Sequence, residues 1–222
     1  SEARVYKEYL HLGEERELCP SHAIYLSGCN MRCAFCSDHG DMLCEKGMVQ
    51  KRNFYDASCR VPLLTRFPDR WRAGSTCDVP VSLLDLLPTF SAVAETDAGL
   101  PHDGGNLVDI LEADPGDRTI FAQAHEAVGV PCIMARRGRY KYHYIHGDRD
   151  HLFDMEADPG EWGNLIDDPS HEAVTAQLRS AILERFDADA MAAENLASLH
   201  RRAAIRDAMK TNGTRWNYHP LF

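Results

Sequence analysis

Two candidate metal-binding motifs of different chemistry meet at one peptide bond in this chain. Cys29, Cys33 and Cys36 have the spacing C-x3-C-x2-C, and Ser37 then begins a second motif that continues as Asp38-His39-Gly40-Asp41. Closely spaced thiolates favour iron–sulfur clusters or zinc, whereas a carboxylate beside an imidazole favours a divalent cation. The chain around this junction must therefore form loops that present these side chains, and we expect two half-sites in one short polypeptide.

Length, charge and cysteine usage set the broad class. The 222 residues, 44% of them hydrophobic, are enough for one good core or two small ones, so we expect a globular protein. A net charge of -10 argues against a nucleic-acid surface and is compatible with a cationic ligand. No apolar run approaches the ~20 residues that span a bilayer, and the first residues lack the apolar core of a signal peptide. We expect a cytoplasmic protein with reduced thiols and no membrane contact.

Hydrophobic patterning predicts short strands separated by turns. Apolar runs predict strands at 23–26, 61–64 and 119–122. A hairpin is predicted over 132–145, with its turn at Arg137-Gly138-Arg139. In its second half tyrosines alternate with a lysine and a histidine, which is the period of a half-buried sheet.

Four helices are predicted after the strand at 61–64. In the first, Ser82 is the N-cap and Asp85 stands three positions later, and its predicted buried stripe is Leu83, Leu86, Leu87, Phe90 and Val93. A short helix is predicted over 106–112. Asp168-Pro169 begins the next helix, whose apolar residues recur every four positions at Val174, Leu178, Ile182 and Phe186. A last helix is predicted over 188–210, ending near Gly213.

A series of sequence blocks after the junction has the order found in one enzyme family. These blocks are Ser37-Asp38-His39-Gly40-Asp41-Met42-Leu43, Asn53-Phe54-Tyr55-Asp56, Arg60-Val61-Pro62-Leu63, Ser82-Leu83-Leu84-Asp85-Leu86-Leu87-Pro88-Thr89 and His151-Leu152-Phe153-Asp154-Met155-Glu156-Ala157-Asp158-Pro159-Gly160-Glu161-Trp162. From residue 37 onward the chain resembles the sulfatases of the alkaline phosphatase superfamily. Arg136-Arg137-Gly138-Arg139-Tyr140-Lys141 and the tail Trp216-Asn217-Tyr218-His219-Pro220 resemble the choline sulfatases. The resemblance implies an α/β fold, in which a partial sulfatase-type sheet precedes a C-terminal subdomain of a β-hairpin and helices.

The resemblance also implies roles for three residues. Asp38 is expected to bind a divalent cation, calcium before others, and His39 to contact that metal or the sulfate. Lys51 is expected to stabilise sulfate charge in the transition state of ester hydrolysis. Without the surrounding match, a capped turn is the preferred interpretation of Asp38 and His39, and a solvated side chain is the preferred interpretation of Lys51.

The chain departs from the sulfatase pattern at the nucleophile. The family oxidises a cysteine within C-x-P-S-R to formylglycine, and Cys19-Pro20-Ser21-His22 lacks both the spacer and the arginine. The paired aspartates that complete the metal site are also absent. We therefore expect the chain alone to be inactive. Its expected partner is a small sulfate ester such as choline sulfate, and Trp216 and Asn217 are candidate substrate contacts, with packing of the tail as the alternative role.

The cysteine motif resembles a different family. Residues 1–36, including Ser27-Gly28-Cys29-Asn30, resemble the radical SAM enzymes that activate pyruvate formate-lyase. The resemblance implies a 4Fe–4S cluster on Cys29, Cys33 and Cys36. A zinc site that uses Cys19 is the alternative. S-adenosylmethionine is not expected to bind, because no Gly-Gly-Glu segment follows.

Two segments, 1–36 and 37–222, are thus predicted. The principal hypothesis is a sulfuric-ester hydrolase relative that lacks its catalytic half. The alternatives are an iron–sulfur protein of radical SAM ancestry and a non-catalytic chimeric reading frame that serves as a binding or assembly module. The aromatic tail could also join copies of the chain into a homo-oligomer.

Overall fold

The computed structural model describes residues 40, 42–50, 53–67, 70–71, 73–97, 99–112, 118–124 and 130–214. The chain divides into two compact units, Ser1–Asp78 and Val79–Phe222. The predicted strand at 23–26 lies outside the described residues.

The first unit contains a small hairpin and one turn of helix. Strands β1 (Met42–Leu43) and β2 (Val49–Gln50) pair antiparallel, and helix α1 spans Asp56–Cys59. A 3-10 turn at Glu45–Gly47 joins the strands, and Cys44 precedes it with a φ of 78°. The strand predicted at 61–64 is wrong: residues 61–67 are irregular, and Leu64 is 70% exposed. The apolar run there has no neighbouring strand among the described residues to satisfy its backbone groups.

The second unit contains four strands and four helices among its described residues. The helices are α2 (Leu86–Val93), α3 (Leu107–Glu112), α4 (Glu172–Arg185) and α5 (Ala188–Thr211). The strands are β3 (Thr119–Ala124), β4 (Cys132–Arg137), β5 (Tyr140–Ile145) and β6 (His151–Asp154). Short 3-10 turns at Leu83–Asp85 and Pro169–His171 precede α2 and α4. No helix in the described part of the chain is long and apolar enough to cross a membrane.

The strands form one antiparallel sheet in the order β3-β4-β5-β6. The predicted hairpin is confirmed, with Arg137 opposite Tyr140 and Gly138 in the turn at a φ of 54°. β6 was not predicted as a strand, and it pairs with β5 so that Tyr142 lies opposite Leu152. The mixed α/β architecture agrees with the fold class expected from the sequence.

One face of this sheet packs on α4 and forms the main core. The buried residues of the core are Ile133, Ala135, Tyr142, Tyr144, Leu152, Leu178, Ile182 and Ala188. Leu178 and Ile182 are fully buried, and Val174 and Phe186 pack at the edge of the same cluster, so the predicted stripe of α4 is confirmed. Asp168 caps the turn before α4 by accepting a hydrogen bond from the Ser170 N–H at 2.9 Å.

The opposite face of the sheet is also buried. Lys141 is 0% exposed, His143 4% and Phe153 2%. His143 lies with its ring centroid 5.5 Å from that of Phe153 and 6.0 Å from that of His151. The expectation of a half-buried sheet is therefore wrong, because the polar side chains that alternate with the tyrosines are enclosed as well.

Helix α2 presents its apolar residues outward. The predicted capping box is confirmed: the Ser82 hydroxyl accepts from the Leu84 N–H at 3.3 Å, and Asp85 Oδ2 accepts from the Ser82 N–H at 2.7 Å. The predicted buried stripe is wrong. Of its five members only Leu86 is partly buried, and the exposed ones, with Leu84, form what we call the apolar face: Leu83, Leu84, Leu87, Phe90 and Val93.

Polar side chains occupy the inner side of α2. Asp85 is fully buried and accepts from the Gly105 N–H at 2.8 Å and from Arg118 at 2.5 Å. The Thr89 hydroxyl accepts from the Leu107 N–H at 2.8 Å, which ties α2 to α3. These hydrogen bonds satisfy buried groups, so the helix is held by its polar side.

Candidate functional site

Every residue predicted to carry chemistry lies outside the described residues. These residues are Cys29, Cys33, Cys36, Asp38, His39, Lys51, Trp216 and Asn217. Their assignments therefore stay predictions. Between His39 and Lys51 the structure describes Gly40 and residues 42–50, which include the β1–β2 hairpin.

Gly40 lies directly against helix α1. Its N–H donates to the Ser58 carbonyl oxygen at 2.7 Å. A Cβ at this position would lie 2.2 Å from the Ala57 carbonyl oxygen, which is far closer than any real contact. Only glycine therefore fits, and the reason is the backbone of α1. The residue that follows the Asp38-His39 pair is thus fixed by α1.

Side chains of the hairpin and of the segment that follows it stabilise the chain after Gly40. Met42 and Phe54 are buried, at 1% and 7% exposure. The ammonium group of Lys46 lies 4.6 Å from the centroid of the Tyr55 ring, a cation–π distance. The Asn53 side-chain oxygen accepts from the Tyr55 N–H at 3.0 Å and shapes the approach to α1. Because β2 ends at Gln50, this framework leads directly into Lys51.

A complete calcium site is not present in the described part of the chain. Within it, no group of three or more histidine, cysteine, aspartate or glutamate side chains could hold a metal ion. Asp38 and His39 together offer one carboxylate and one imidazole. Calcium takes six to eight oxygen ligands, so this donor pair fits only part of a calcium site.

Two enclosed charged groups in the described part of the second unit form an ion pair. Lys141 Nζ lies 2.8 Å from Glu161 Oε1, and the two side chains are 0% and 3% exposed. Glu161 follows the turn at Asp158-Pro159-Gly160, which the Glu161 N–H closes on the Asp158 carbonyl oxygen at 3.0 Å, and its φ is 57°. Sequence reasoning missed this pair. The signal in the sequence was a lysine that alternates with tyrosines, together with an acid that follows a Pro-Gly turn.

Two further carboxylates organise the sheet ends. Arg139 Nε donates to Asp154 Oδ1 at 2.8 Å, and its terminal nitrogen contacts Oδ2. The hydrogen bond from Arg139 holds the pKa of Asp154 below its usual value. Asp150 accepts from the Tyr142 hydroxyl and, at 3.0 Å, from the Ile145 N–H. Burial raises the pKa of Tyr142, and the hydrogen bond to Asp150 raises it further. The phenol therefore stays protonated, and its ring packs in the core.

An open groove of about 510 Å³ lies beside strand β3. Phe121 and Phe186 meet edge to face at 5.7 Å on its wall, and the Arg185 guanidinium lies 5.3 Å from the Phe121 ring. Arg185 also pairs with Asp103 at 3.0 Å. Among the described residues that line the groove Arg185 is the one basic side chain, and a carboxylate and two aromatic rings contact it.

Comparison with known proteins identifies relatives that are much longer than the region they share with this chain. A choline-sulfatase of Rhizobium meliloti is 35% identical over 84% of this chain and 38% of its own length. A Delta 4,5-hexuronate-2-O-sulfatase of Bacteroides thetaiotaomicron is 31% identical over 70% of this chain and 34% of its own length. The chain therefore spans little more than a third of these relatives.

Solved structures give the same result. The structure of a 2-O GAG sulfatase superposes on this chain with a TM-score of 0.58 and 28% sequence identity. The superposition covers 72% of this chain and 36% of the sulfatase chain. Residues 44–188 match the family described as N-sulphoglucosamine sulphohydrolase, C-terminal. This match covers β2, α1, the four-stranded sheet and α4. The chain belongs to this family of sulfatase C-terminal domains.

Proposed function

We propose that this chain is the C-terminal portion of a sulfuric-ester hydrolase, with part of the sulfate and cation site but without the nucleophile. Asp38 and His39 bind the cation, and Lys51 contacts the sulfate. When bound, a divalent cation would polarise sulfate oxygens. With two ligands in place of a full oxygen cage, its binding to this chain alone is weak.

The observation that carries this proposal is the close fit of Gly40 against α1. A backbone approach that admits no Cβ fixes the residue next to the Asp38-His39 pair. The hairpin then leads, through the pairing of Met42 with Gln50, directly to Lys51. Backbone contacts that connect both ends of a proposed site support a preorganised anion site.

The substrate we propose is a small sulfate ester such as choline sulfate. The relative that supports it is the Rhizobium choline-sulfatase. Trp216 and Asn217, on the tail, are the proposed contacts to the quaternary ammonium group, because an indole ring can hold such a cation.

The tail is also the proposed route to a homo-oligomer, and removal of residues 214–222 followed by light scattering tests it. The cytoplasmic location stays a prediction.

Calorimetric titration tests the cation and sulfate sites on the full chain. Calcium chloride and sodium sulfate are titrated separately into the wild-type protein, Asp38→Ala and Lys51→Ala. The expected result is weak calcium binding that is lost in Asp38→Ala and weak sulfate binding that is lost in Lys51→Ala. Lys210→Ala, on the exposed last turn of α5, is the matched control for loss of one positive charge. Unchanged binding in both site variants would refute the assignment.

The cysteine spacing favours a second candidate function, an iron–sulfur centre on Cys29, Cys33 and Cys36. Anaerobic reconstitution with iron and sulfide should produce a broad absorbance at about 400 nm, which is typical of such clusters. Cys33→Ala should abolish it, whereas Cys77→Ala, at an exposed free cysteine outside the motif, should leave it unchanged. A spectrum that is the same in all three proteins would remove the cluster from consideration.

A further inference from the structure

A row of metal-donor side chains crosses three strands on the face of the sheet opposite α4. Met134 on β4 pairs with His143 on β5, and His143 pairs with His151 on β6. Paired residues in an antiparallel sheet lie on the same face, with Cβ atoms about 4.5 to 5.5 Å apart. Tyr142 and Leu152, which neighbour the two histidines in sequence, belong to the core on α4. Side chains alternate between faces, so these three residues, which we call the donor row, lie on the other face.

The two imidazoles of the donor row are spaced as two ligands of one ion. The ring centroids of His143 and His151 are 6.0 Å apart, and the rings are tilted by 55° rather than stacked. An imidazole nitrogen binds a first-row metal at about 2 Å, which places the centroids of two imidazoles on one ion about 5 to 6 Å apart. The observed spacing therefore lets one ion bridge the pair without movement of either strand.

The thioether of Met134 adds a third donor from the neighbouring strand. Its side chain is unbranched and has three rotatable bonds, so the sulfur adapts to the position of a partner. Met134 lies beside His143 on the side away from His151, because the strand order is β4-β5-β6. The central histidine thus has one donor on each side.

The surroundings of the donor row are apolar and closed at one end. Met134 is 5% exposed and His143 4%, whereas His151 is partly exposed. The Phe153 ring lies 5.5 Å from the His143 ring and 6.0 Å from the His151 ring, with an edge contact to each. Phe153 supplies a wall and no ligand. An ion therefore enters from the His151 side and keeps few water ligands once it is bound.

We infer that the donor row binds a soft monovalent cation, Cu(I). Zinc takes thiolate, imidazole and carboxylate ligands, and calcium takes six to eight oxygens. In the part of the chain that the structure describes, no three histidine, cysteine, aspartate or glutamate side chains form such a group. Two imidazoles and a thioether match copper instead, because a thioether selects Cu(I) and imidazole also binds copper. The donor row shares no residue with the proposed cation site at Asp38 and His39, and the inference does not depend on ester hydrolysis.

Nuclear magnetic resonance of methyl-labelled methionine tests the inference on the full chain. Tetrakis(acetonitrile)copper(I) is titrated without oxygen into protein labelled with ¹³C at the methyl groups of its seven methionines. Met134→Leu identifies the Met134 resonance and conserves side-chain volume. His151→Gln removes one ligand at a partly exposed position, and His200→Gln, at an exposed position on α5, is its matched control. The eight cysteines also bind Cu(I), but they are the same in every variant, and the Met134 methyl group reports the donor row itself.

The expected result is a shift of the Met134 methyl resonance in the wild type and in His200→Gln. Loss of an outer-shell partner alone costs about 10- to 100-fold in metal affinity, so the same shift in His151→Gln should require at least tenfold more Cu(I). A Met134 resonance that does not move after the cysteines are saturated would overturn the inference. So would an equal titration in His151→Gln, or an equal shift caused by zinc chloride.

Thermal unfolding with and without Cu(I) gives a second readout that does not depend on the histidine variant. An ion that binds only the folded chain raises its melting temperature. The rise should be larger in the wild type than in Met134→Leu, because both proteins have the same cysteines and only one has the thioether. Circular dichroism without metal establishes that each variant folds. An equal rise in both proteins would count against the donor row as the site.

Discussion

Lys141 Nζ lies 2.8 Å from Glu161 Oε1 inside the second unit, and water reaches almost none of either side chain. The pair joins the start of β5 to the turn after β6. Transfer of both charges from water is costly, so the attraction at this distance must offset a large desolvation penalty. Removal of one partner leaves the other charge buried.

Lys141→Met should lower the free energy of unfolding by about 3 to 5 kcal/mol, because Glu161 then stays buried without its cation. Adding Glu161→Gln should recover most of that loss, since no unpaired charge remains. Urea denaturation followed by far-UV circular dichroism measures both. Arg149→Ala is the control: it breaks a pair with Asp167 in which both side chains are more than half exposed, so the expected loss is under about 1 kcal/mol. If Lys141→Met loses no more free energy of unfolding than Arg149→Ala, the account is contradicted.

Asp85→Ala should destabilise the second unit by about 3 kcal/mol or more. The substitution removes the acceptor of the Ser82 and Gly105 N–H groups and of the Arg118 guanidinium. Thermal unfolding compared with Asp109→Ala measures the effect, because Asp109 is exposed and accepts one bond, from Asn106. Equal melting temperatures for the two variants would show that Asp85 is not the anchor of α2.

Acid should weaken the fold partly through Asp154. Its pKa is lowered from the ordinary 3.8, first by the hydrogen bond from Arg139, so the unfolded chain binds this proton more readily than the folded one. The stabilisation is therefore present above about pH 4 and is lost as the pH falls through the folded pKa. Urea midpoints between pH 6 and pH 2.5 should fall less steeply in Asp154→Asn than in the wild type. Identical slopes in Asp154→Asn and the wild type would rule out this source.

Gly40→Ala should loosen the first unit and leave the second unchanged. The added Cβ meets the Ala57 carbonyl oxygen at 2.2 Å, so the loop must separate from α1. Hydrogen exchange should accelerate at least tenfold in residues 42–59, with unchanged protection in β4 and β5. In Gly163→Ala the nearest atom to the new Cβ is 3.7 Å away, and no acceleration is expected. Unaltered protection of residues 42–59 in Gly40→Ala would contradict the proposed fit.

The sequence predicted elements whose signal is local. Leu178 and Ile182 were assigned to a buried stripe correctly because α4 packs on one core with one face. The capping box of Ser82 and Asp85 was also predictable, since both partners lie within one turn. The turn at Gly138, followed by an alternating run, likewise specified the hairpin.

The failures of prediction concern which side a pattern faces and which distant groups meet. Phe90 and Leu87 have helical spacing, but the contacts of Asp85 and Thr89 with residues far along the chain turn that stripe outward. The burial of Lys141 depends on Glu161, which lies in a turn twenty positions later, and no local periodicity records it. The candidate site could be predicted only as motifs, because its residues lie outside the described part of the chain.

The most direct test of the central claim is a sulfate-release assay with choline sulfate and calcium. It compares three samples: the chain alone, the chain co-expressed with the preceding portion of the Rhizobium choline-sulfatase, and the same pair with Lys51→Ala in this chain. The account predicts no release by the chain alone, release by the pair, and at least a hundredfold loss in Lys51→Ala. Turnover by the chain alone, or equal turnover by the pair with and without Lys51, would contradict it.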